Sequence, residues 1–334
     1  ESFINPGSEA SNTELRAIEP YQPGKIPVVF IHGLLSNPYT WVEMIYELQA
    51  YPGFIEHFQI WVIEYPTGQP FLTSASECRA QLRAARHAFD PTRADAQLSN
   101  MILVGHSMGG LISKLQVTSS GDRLWRSIAN RPFDQVAIPS NVRQRLIDAF
   151  FFEPSPDVSR VVFLGTPHRG SAFANLTIGR LGSALVEEPE EFVQAHQDLM
   201  RSNPGVFSQE VSRRIPTSID LLEPGSELLG AIAKLPAKCD VTMHSVIGNR
   251  CCTLFRGKSD GVVPVTSARD PRTVSERYIK TIHTRLTRHP ESVEELLCIL
   301  QQHLHQSRHI GIESEASLGR ADIPVAAINA DPPQ

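Results

Sequence analysis

Apolar residues in this chain gather in two alternating kinds of run. Short, nearly unbroken runs at Pro27–Ile31, Phe58–Tyr65, Met101–Val104, Val158–Leu164, Val241–Ile247 and Arg277–Ile282 read as six strands. Continuous hydrophobicity of this length is what a strand covered on both faces requires. Between them, apolar positions recur at helical spacing. Trp41, Ile45 and Leu48 mark a helix over about 38–49. Ala75, Cys78, Leu82, Ala85 and Phe89 mark another, closed before Pro91, and Leu111, Ile112 and Leu115 a third. A final helix is predicted from about Pro290 to Leu304. Strand, helix, strand, helix in this order predicts a mostly parallel sheet with helices on both faces.

Three stretches fall outside the alternation. Residues 1–26 are polar, carry Pro and Gly, and read as an arm over the surface, too short and polar for opening antiparallel strands. Residues 119–157 contain Phe150-Phe151-Phe152 bounded by Pro154 and Pro156, and residues 172–238 contain helical stretches around Glu190–Met200 and Ser226–Leu235. Both are expected to leave from the carboxyl ends of strands, where open α/β sheets bind ligands, and so to act as cap or lid segments. The tail, 307–334, loses periodicity and is expected to be mobile.

The third strand runs into Gly105-His106-Ser107-Met108-Gly109, which fits G-x-S-x-G, and a helix follows at once. Strand, sharp turn and helix form the context in which such a serine is raised above the sheet edge as a nucleophile. A serine hydroxyl needs a base, and the base an orienting carboxylate. In this architecture they follow in the order acid, then histidine. Asp260, in Ser259-Asp260-Gly261-Val262-Val263-Pro264, fits the acid; Asp270 is the weaker candidate, and Asp240 precedes its strand. His283 follows the sixth strand and is the expected base, with His289 as runner-up at the entry to the last helix. Backbone N–H groups of Leu34, in the loop after the first strand, and Met108 are the expected oxyanion donors.

Composition narrows the class. With 31 Lys+Arg against 36 Asp+Glu the net charge is −5, and no basic run suggests nucleic acid. No stretch reaches the roughly 18 apolar residues of a membrane span. Of the five cysteines, Cys78 and Cys298 read as core, while Cys239 could bridge to Cys251 or Cys252. The chain opens on Glu1, not Met, so its start reads as trimmed and export stays open.

Taken together, His32-Gly33-Leu34, the G-x-S-x-G motif, Gly165-Thr166-Pro167-His168-Arg169-Gly170-Ser171, Ser259–Pro264 and His283 resemble the α/β-hydrolase superfamily in its serine esterase and lipase branch. The third piece resembles the T-P-H-x-G-S segment of triacylglycerol lipases and GPI-inositol-deacylase-like proteins. The resemblance implies an α/β-hydrolase fold over 27–306, a triad of Ser107, Asp260 and His283, and no cofactor or metal. It implies a hydrophobic acyl-ester substrate, with transient contact to a lipid surface. His168 and Arg169 are candidates for bracing the site. An amidase, thioesterase or polyester hydrolase would use the same machinery, and a catalytically silent binding module is the alternative of a different class.

Overall fold

The computed structural model describes residues 13–171, 190–213, 218–250 and 257–318. The chain divides into two units, residues 1–295 and 296–334. In the first, seven strands form one sheet: β1 (Glu14–Ala17), β2 (Ile26–Ile31), β3 (Phe58–Glu64), β4 (Met101–His106), β5 (Val158–Leu164), β6 (Thr242–Gly248) and β7 (Ser275–Ile279). Their order is β1-β3-β2-β4-β5-β6-β7, and every pairing is parallel except β1 with β3. The central strands β2 and β4 are buried at every position, which accounts for their unbroken apolar sequence.

The two edges depart from the sequence reading. The supposed arm supplies β1, an antiparallel edge strand that pairs Glu14 with Glu64 and Ala17 with Trp61. Its four residues alternate: Leu15 and Ala17 pack on the core, and Arg16 turns outward to Glu64. A four-residue alternation with charges on one face carries too little hydrophobic signal to be read as a strand. At the other edge, β7 ends at Ile279, three residues earlier than the apolar pattern suggests. As an edge strand it is half exposed, so it lacks the two-sided burial that marks its neighbours. The arm's first twelve residues lie outside the described ones.

The helices match more closely. Helix Val42–Ala50 follows a short 3-10 turn at Pro38–Trp41, and helices occupy Phe71–Phe89 and Met108–Gln116. The last helix begins at Pro290 and stays helical to Leu318, past the point where periodicity fades in the sequence; residues 319–334 are outside the described ones. Cys78 is buried as expected, whereas Cys298 is exposed. Cys239 is a free, exposed thiol, and Cys251 and Cys252 lie outside the described residues. No described helix is long and apolar enough to cross a membrane.

The segment 119–157 sits elsewhere than expected. The nine residues of Met108–Gln116 carry the chain about 13 Å back across the sheet. The segment then begins and ends at the amino ends of the strands: Ser155 N–H donates to Gln116 O at 2.7 Å, and Met101 N–H, opening β4, to Asp157 O at 2.9 Å. Phe150 and Phe152 are buried there. Trp125 is the hub, with ring centroids 4.9 Å from Phe133, 5.8 Å from Phe150 and 5.9 Å from Phe207. The Arg79 guanidinium lies 4.1 Å from the centre of the Phe152 ring. These aromatics make a core on the side away from the carboxyl edge, so Phe150-Phe151-Phe152 is not a lid over that edge. Phe150→Ala is therefore expected to cost about 3 kcal/mol in urea unfolding, with no change in preference between short and long substrates; a shifted preference at full stability would return the cluster to a covering role.

Candidate active site

At the carboxyl edge, adjacent strands are stitched together just beyond their ends. Ser107 N–H donates to Leu164 O, Gly165 N–H to Val246 O, and Asn249 N–H to Ile279 O, each at 2.9 Å. Loops leaving β4, β5, β6 and β7 thus stand side by side, although their residues lie up to 176 positions apart in sequence from Ser107 to His283.

Ser107 occupies the turn from β4 into the helix with φ 54° and ψ −123°, a conformation that a residue bearing a Cβ rarely adopts. Its flanking glycines make the turn possible. A Cβ on Gly105 would fall 2.5 Å from Gly109 O, and one on Gly109 would run into the Ile31 and His32 carbonyls. The loop after β2 closes against the turn as well: a Cβ on Gly33 would lie 3.0 Å from the Ser107 Cβ. The loop that carries Leu34 therefore closes on the serine turn at Gly33. Met108 is the first residue of the helix, so its N–H has no intrahelical acceptor.

His32 fixes the Leu34 loop. Its Nδ1–H donates to Gly33 O at 3.0 Å, its ring stacks on Tyr65 at 4.3 Å, and the Tyr65 hydroxyl donates to His32 O at 2.7 Å. Burial lowers the pKa of His32, which keeps the ring neutral.

Asp260 and His283 meet. The carboxylate is buried; its Oδ1 accepts N–H bonds from Val262 at 2.9 Å and Val263 at 2.6 Å, and its Oδ2 accepts the Nδ1–H of His283 at 2.6 Å. His283 N–H also donates to Asp260 O at 2.9 Å. A carboxylate that only accepts sets the tautomer, so Nε2 carries the ring's lone pair. Two glycines make room for this pair. A Cβ on Gly165, itself at φ 58°, would lie 3.1 Å from His283 Nδ1 and 3.2 Å from Asp260 Oδ2, and one on Gly248 2.6 Å from the Asp260 Cβ. His283 does not leave β7 directly: Lys280, Thr281 and Ile282 intervene, and it opens a 3-10 turn.

His106, inside the motif, does work the sequence did not suggest. Its Nε2–H donates to His283 O at 3.1 Å, and the two rings stand 4.6 Å apart. Burial, and then the neighbouring His283, lower its pKa well below the ordinary histidine value, so it stays neutral.

The two runners-up are used otherwise. His289 caps the last helix: its O accepts Ser292 N–H at 2.8 Å and its Nδ1 accepts Glu291 N–H at 3.3 Å. Asp270 is buried against cations. Its Oδ2 receives Lys114 Nζ at 2.8 Å, and Arg272 binds it through both oxygens at 2.9 and 2.7 Å. Burial pushes Asp270 up, but hydrogen bonds from Arg272 and the Lys114 charge outweigh it and hold the carboxyl well below the usual range. Lys114 is 1% exposed, and burial pulls its pKa down to about 8. His168 lies beside it, Nδ1 3.4 Å from Lys114 Nζ. Its pKa is lowered well below normal, first by burial and then by the Lys114 charge, so its 3.8 Å approach to Asp270 is not an ion pair. Arg169 ties the same loop to Thr266 O at 3.1 Å. These contacts brace the loop after β5 against the helix that follows Ser107. Lys114 sits between Ile112 and Leu115 on an apolar helix, and a lone lysine there gives no sequence signal of a buried partner 156 residues away.

The alpha/beta hydrolase family matches residues 28–274, about three quarters of the chain. The chain belongs to the alpha/beta hydrolase family. Its fold is that of hydrolases of known structure. The mature form of the Bacillus licheniformis lipase BlEst2 superposes with a TM-score of 0.53 at 18% identity, over 86% of this chain and 97% of the lipase. A carboxylesterase from the thaumarchaeon Nitrososphaera gargenis gives 0.49 at 12% identity, over 92% and 100% of the two chains. The esterase EaEST from Exiguobacterium antarcticum gives 0.46 at 15%, over 87% and 96%. None of the curated proteins compared with it matches the chain.

Within this hydrolase, the Lys114–Asp270–Arg272 cluster predicts unequal mutational costs. Asp270→Asn leaves two cations facing a neutral amide, one of them fully buried, and is expected to lose roughly 3–5 kcal/mol. Lys114→Met leaves Asp270 still paired with Arg272 and is expected to lose about 1–2 kcal/mol. Equal losses in urea unfolding would mean that Arg272 does not neutralise Asp270 alone.

Proposed function

We propose that this hydrolase cleaves carboxylic esters through an acyl-enzyme formed on Ser107. The observation that carries the reading is the 2.6 Å bond from His283 Nδ1 to buried Asp260, beside a serine in a strained turn one residue beyond His106, which itself bonds His283 O. In this reading His283 Nε2 takes the proton of Ser107 as the hydroxyl oxygen attacks the ester carbonyl. Asp260 stabilises the imidazolium that forms. The oxyanion settles between the N–H groups of Leu34 and Met108, one such donor being worth about 3–4 kcal/mol. Collapse of the tetrahedral intermediate expels the alcohol with the proton from His283, leaving the acyl group on Ser107. Water, activated by the same imidazole, then releases the acid.

The cover over this edge is assigned to the stretch 218–222 of segment 172–238 and not to 119–157; residues 203–208 of the same segment bond instead to 128–137 in the aromatic core, Asn130 N–H to Val206 O at 2.9 Å and Ser208 N–H to Ile128 O at 2.8 Å. Within it, helix Ser218–Leu221 reaches from the loop after β3 to the loop after β5. Ser218 Oγ–H donates to Gln69 O at 2.6 Å, and Ser171 N–H donates to Leu222 O at 2.9 Å. Since β2 and β4 lie between β3 and β5, this stretch bridges the edge on which Ser107 stands. Residues 172–189 and 214–217 of the segment are outside the described ones.

Ser107→Ala is expected to fold as the wild type and to lose at least about 10⁴-fold of p-nitrophenyl ester turnover; a folded variant near the wild-type rate, or wild-type protein inert toward every ester in a chain-length series, would remove the esterase reading. His283→Ala should be as inactive as Ser107→Ala, whereas His289→Ala should retain activity and lose about 1 kcal/mol of stability with its helix cap. The opposite pattern would move the base to His289.

A further inference from the structure

His283 acts far from the strand that delivers it. β5 and β6 lie between β7 and β4, which puts β7 and β4 about 14 Å apart across the sheet. Lys280, Thr281 and Ile282 then carry the chain from the end of β7 into the 3-10 turn that His283 opens. There its ring stands 4.6 Å from that of His106, the residue before Ser107. Asp260 fixes His283 to the loop after β6, through its carboxylate and its carbonyl. Among the described residues, the hydrogen bond that joins the turn at His283 to β4 is the one from His106 Nε2–H to His283 O, at 3.1 Å. Leu286 N–H reaches the same oxygen at 3.2 Å, but from within the turn. The His106 ring is itself held from two further sides. Trp41 meets it edge-on at 6.3 Å, and a Cβ on Gly33 would lie 3.2 Å from its Nδ1. That Nδ1 is buried and has no hydrogen-bond partner among the described residues. An unpaired buried nitrogen lowers stability, and an apolar side chain would avoid the loss. The donor on the other ring nitrogen is what a histidine supplies here and a hydrocarbon would not.

We propose that His106 is a positioning residue, whose Nε2–H bond to the His283 carbonyl sets how far the base stands from Ser107. This rests on the reading of Ser107 as nucleophile and His283 as its base, and it adds what holds the two at a fixed separation. Ser107 follows His106 directly, so any drift of the turn at His283 relative to β4 changes the distance over which the proton passes. Asp260 orients the imidazole but ties it to the loop after β6, not to β4. Misplacing a reacting group by about 1 Å costs on the order of 100-fold in rate. The His106 side chain is buried, so its loss acts on the chemical step and not on substrate binding.

The test is steady-state hydrolysis of p-nitrophenyl butyrate, with the rate of Ser107 labelling by a fluorophosphonate, on wild type, His106→Phe, His106→Leu and His106→Gln. Phe and Leu fill the site without a donor; Gln carries a side-chain N–H at about the reach of Nε2. The Phe and Leu variants should lose roughly ten- to hundredfold in kcat, keep KM within about threefold, and label more slowly by a similar factor. Both should melt within about 5 °C of the wild type, because removing the unpaired Nδ1 offsets the lost bond. Gln should recover kcat to within about fivefold of wild type. Wild-type kcat in folded Phe and Leu variants, a Gln variant as slow as Leu, or melting lowered by more than about 5 °C in both apolar variants would overturn the proposal. Ser107→Ala and His283→Ala, run beside them, separate the two readings. If both are inactive while the His106 series is flat, only this inference falls; if either keeps wild-type turnover, the reading beneath it falls.

Discussion

The rest of the site depends on one steric constraint, the turn at Ser107. Its backbone lies where a side chain is barely tolerated, and it holds because two glycines let β4, the following helix and the end of β2 approach within distances that a Cβ would forbid. The local cost, of order 1–3 kcal/mol, is small against the packing on either side. β4 is buried along its whole length, and so is every residue of the helix after it. A hydroxyl placed by such surroundings has little freedom, and that is the preorganisation on which nucleophilic catalysis draws.

Around this turn the chain keeps two buried carboxylates of opposite use. Asp260 is satisfied by two backbone N–H groups and a histidine, so its charge is directed at an imidazole whose other nitrogen remains available. Asp270 is satisfied by a lysine and an arginine, which consume it. Both are almost fully buried. What separates them is the identity of the partners: Val262 and Val263 of its own turn together with His283 for one, Arg272 of its own turn together with Lys114 of the Ser107 helix for the other.

The histidines divide in the same way. His32 and His106 are neutral ring scaffolds, the first shaping the Leu34 loop and the second joined to the backbone of His283. Their burial lowers their pKa, so both rings stay neutral. His168 is held neutral by burial and by Lys114. In the Lys114 cluster one carboxylate, Asp270, serves two cations, Lys114 and Arg272.

Sequence alone determined what is local and short-ranged. Two-sided burial writes itself as continuous apolar runs, so β2 to β6 were legible, and the glycine-serine-glycine spacing announced the turn because the steric demand falls on adjacent residues. The order of acid and histidine along the chain picked out Asp260 and His283, which the fold joins by a hydrogen bond. Only the tertiary structure decided the rest. β1 and β7 are edge strands whose half-exposed residues carry no strong period. The segment 119–157 was misplaced because periodicity shows a helix but not the edge of the sheet to which that helix returns. Lys114 and Asp270 lie 156 residues apart, and whether a buried charge finds its counterion is a property of packing, which a linear pattern of residue types does not contain.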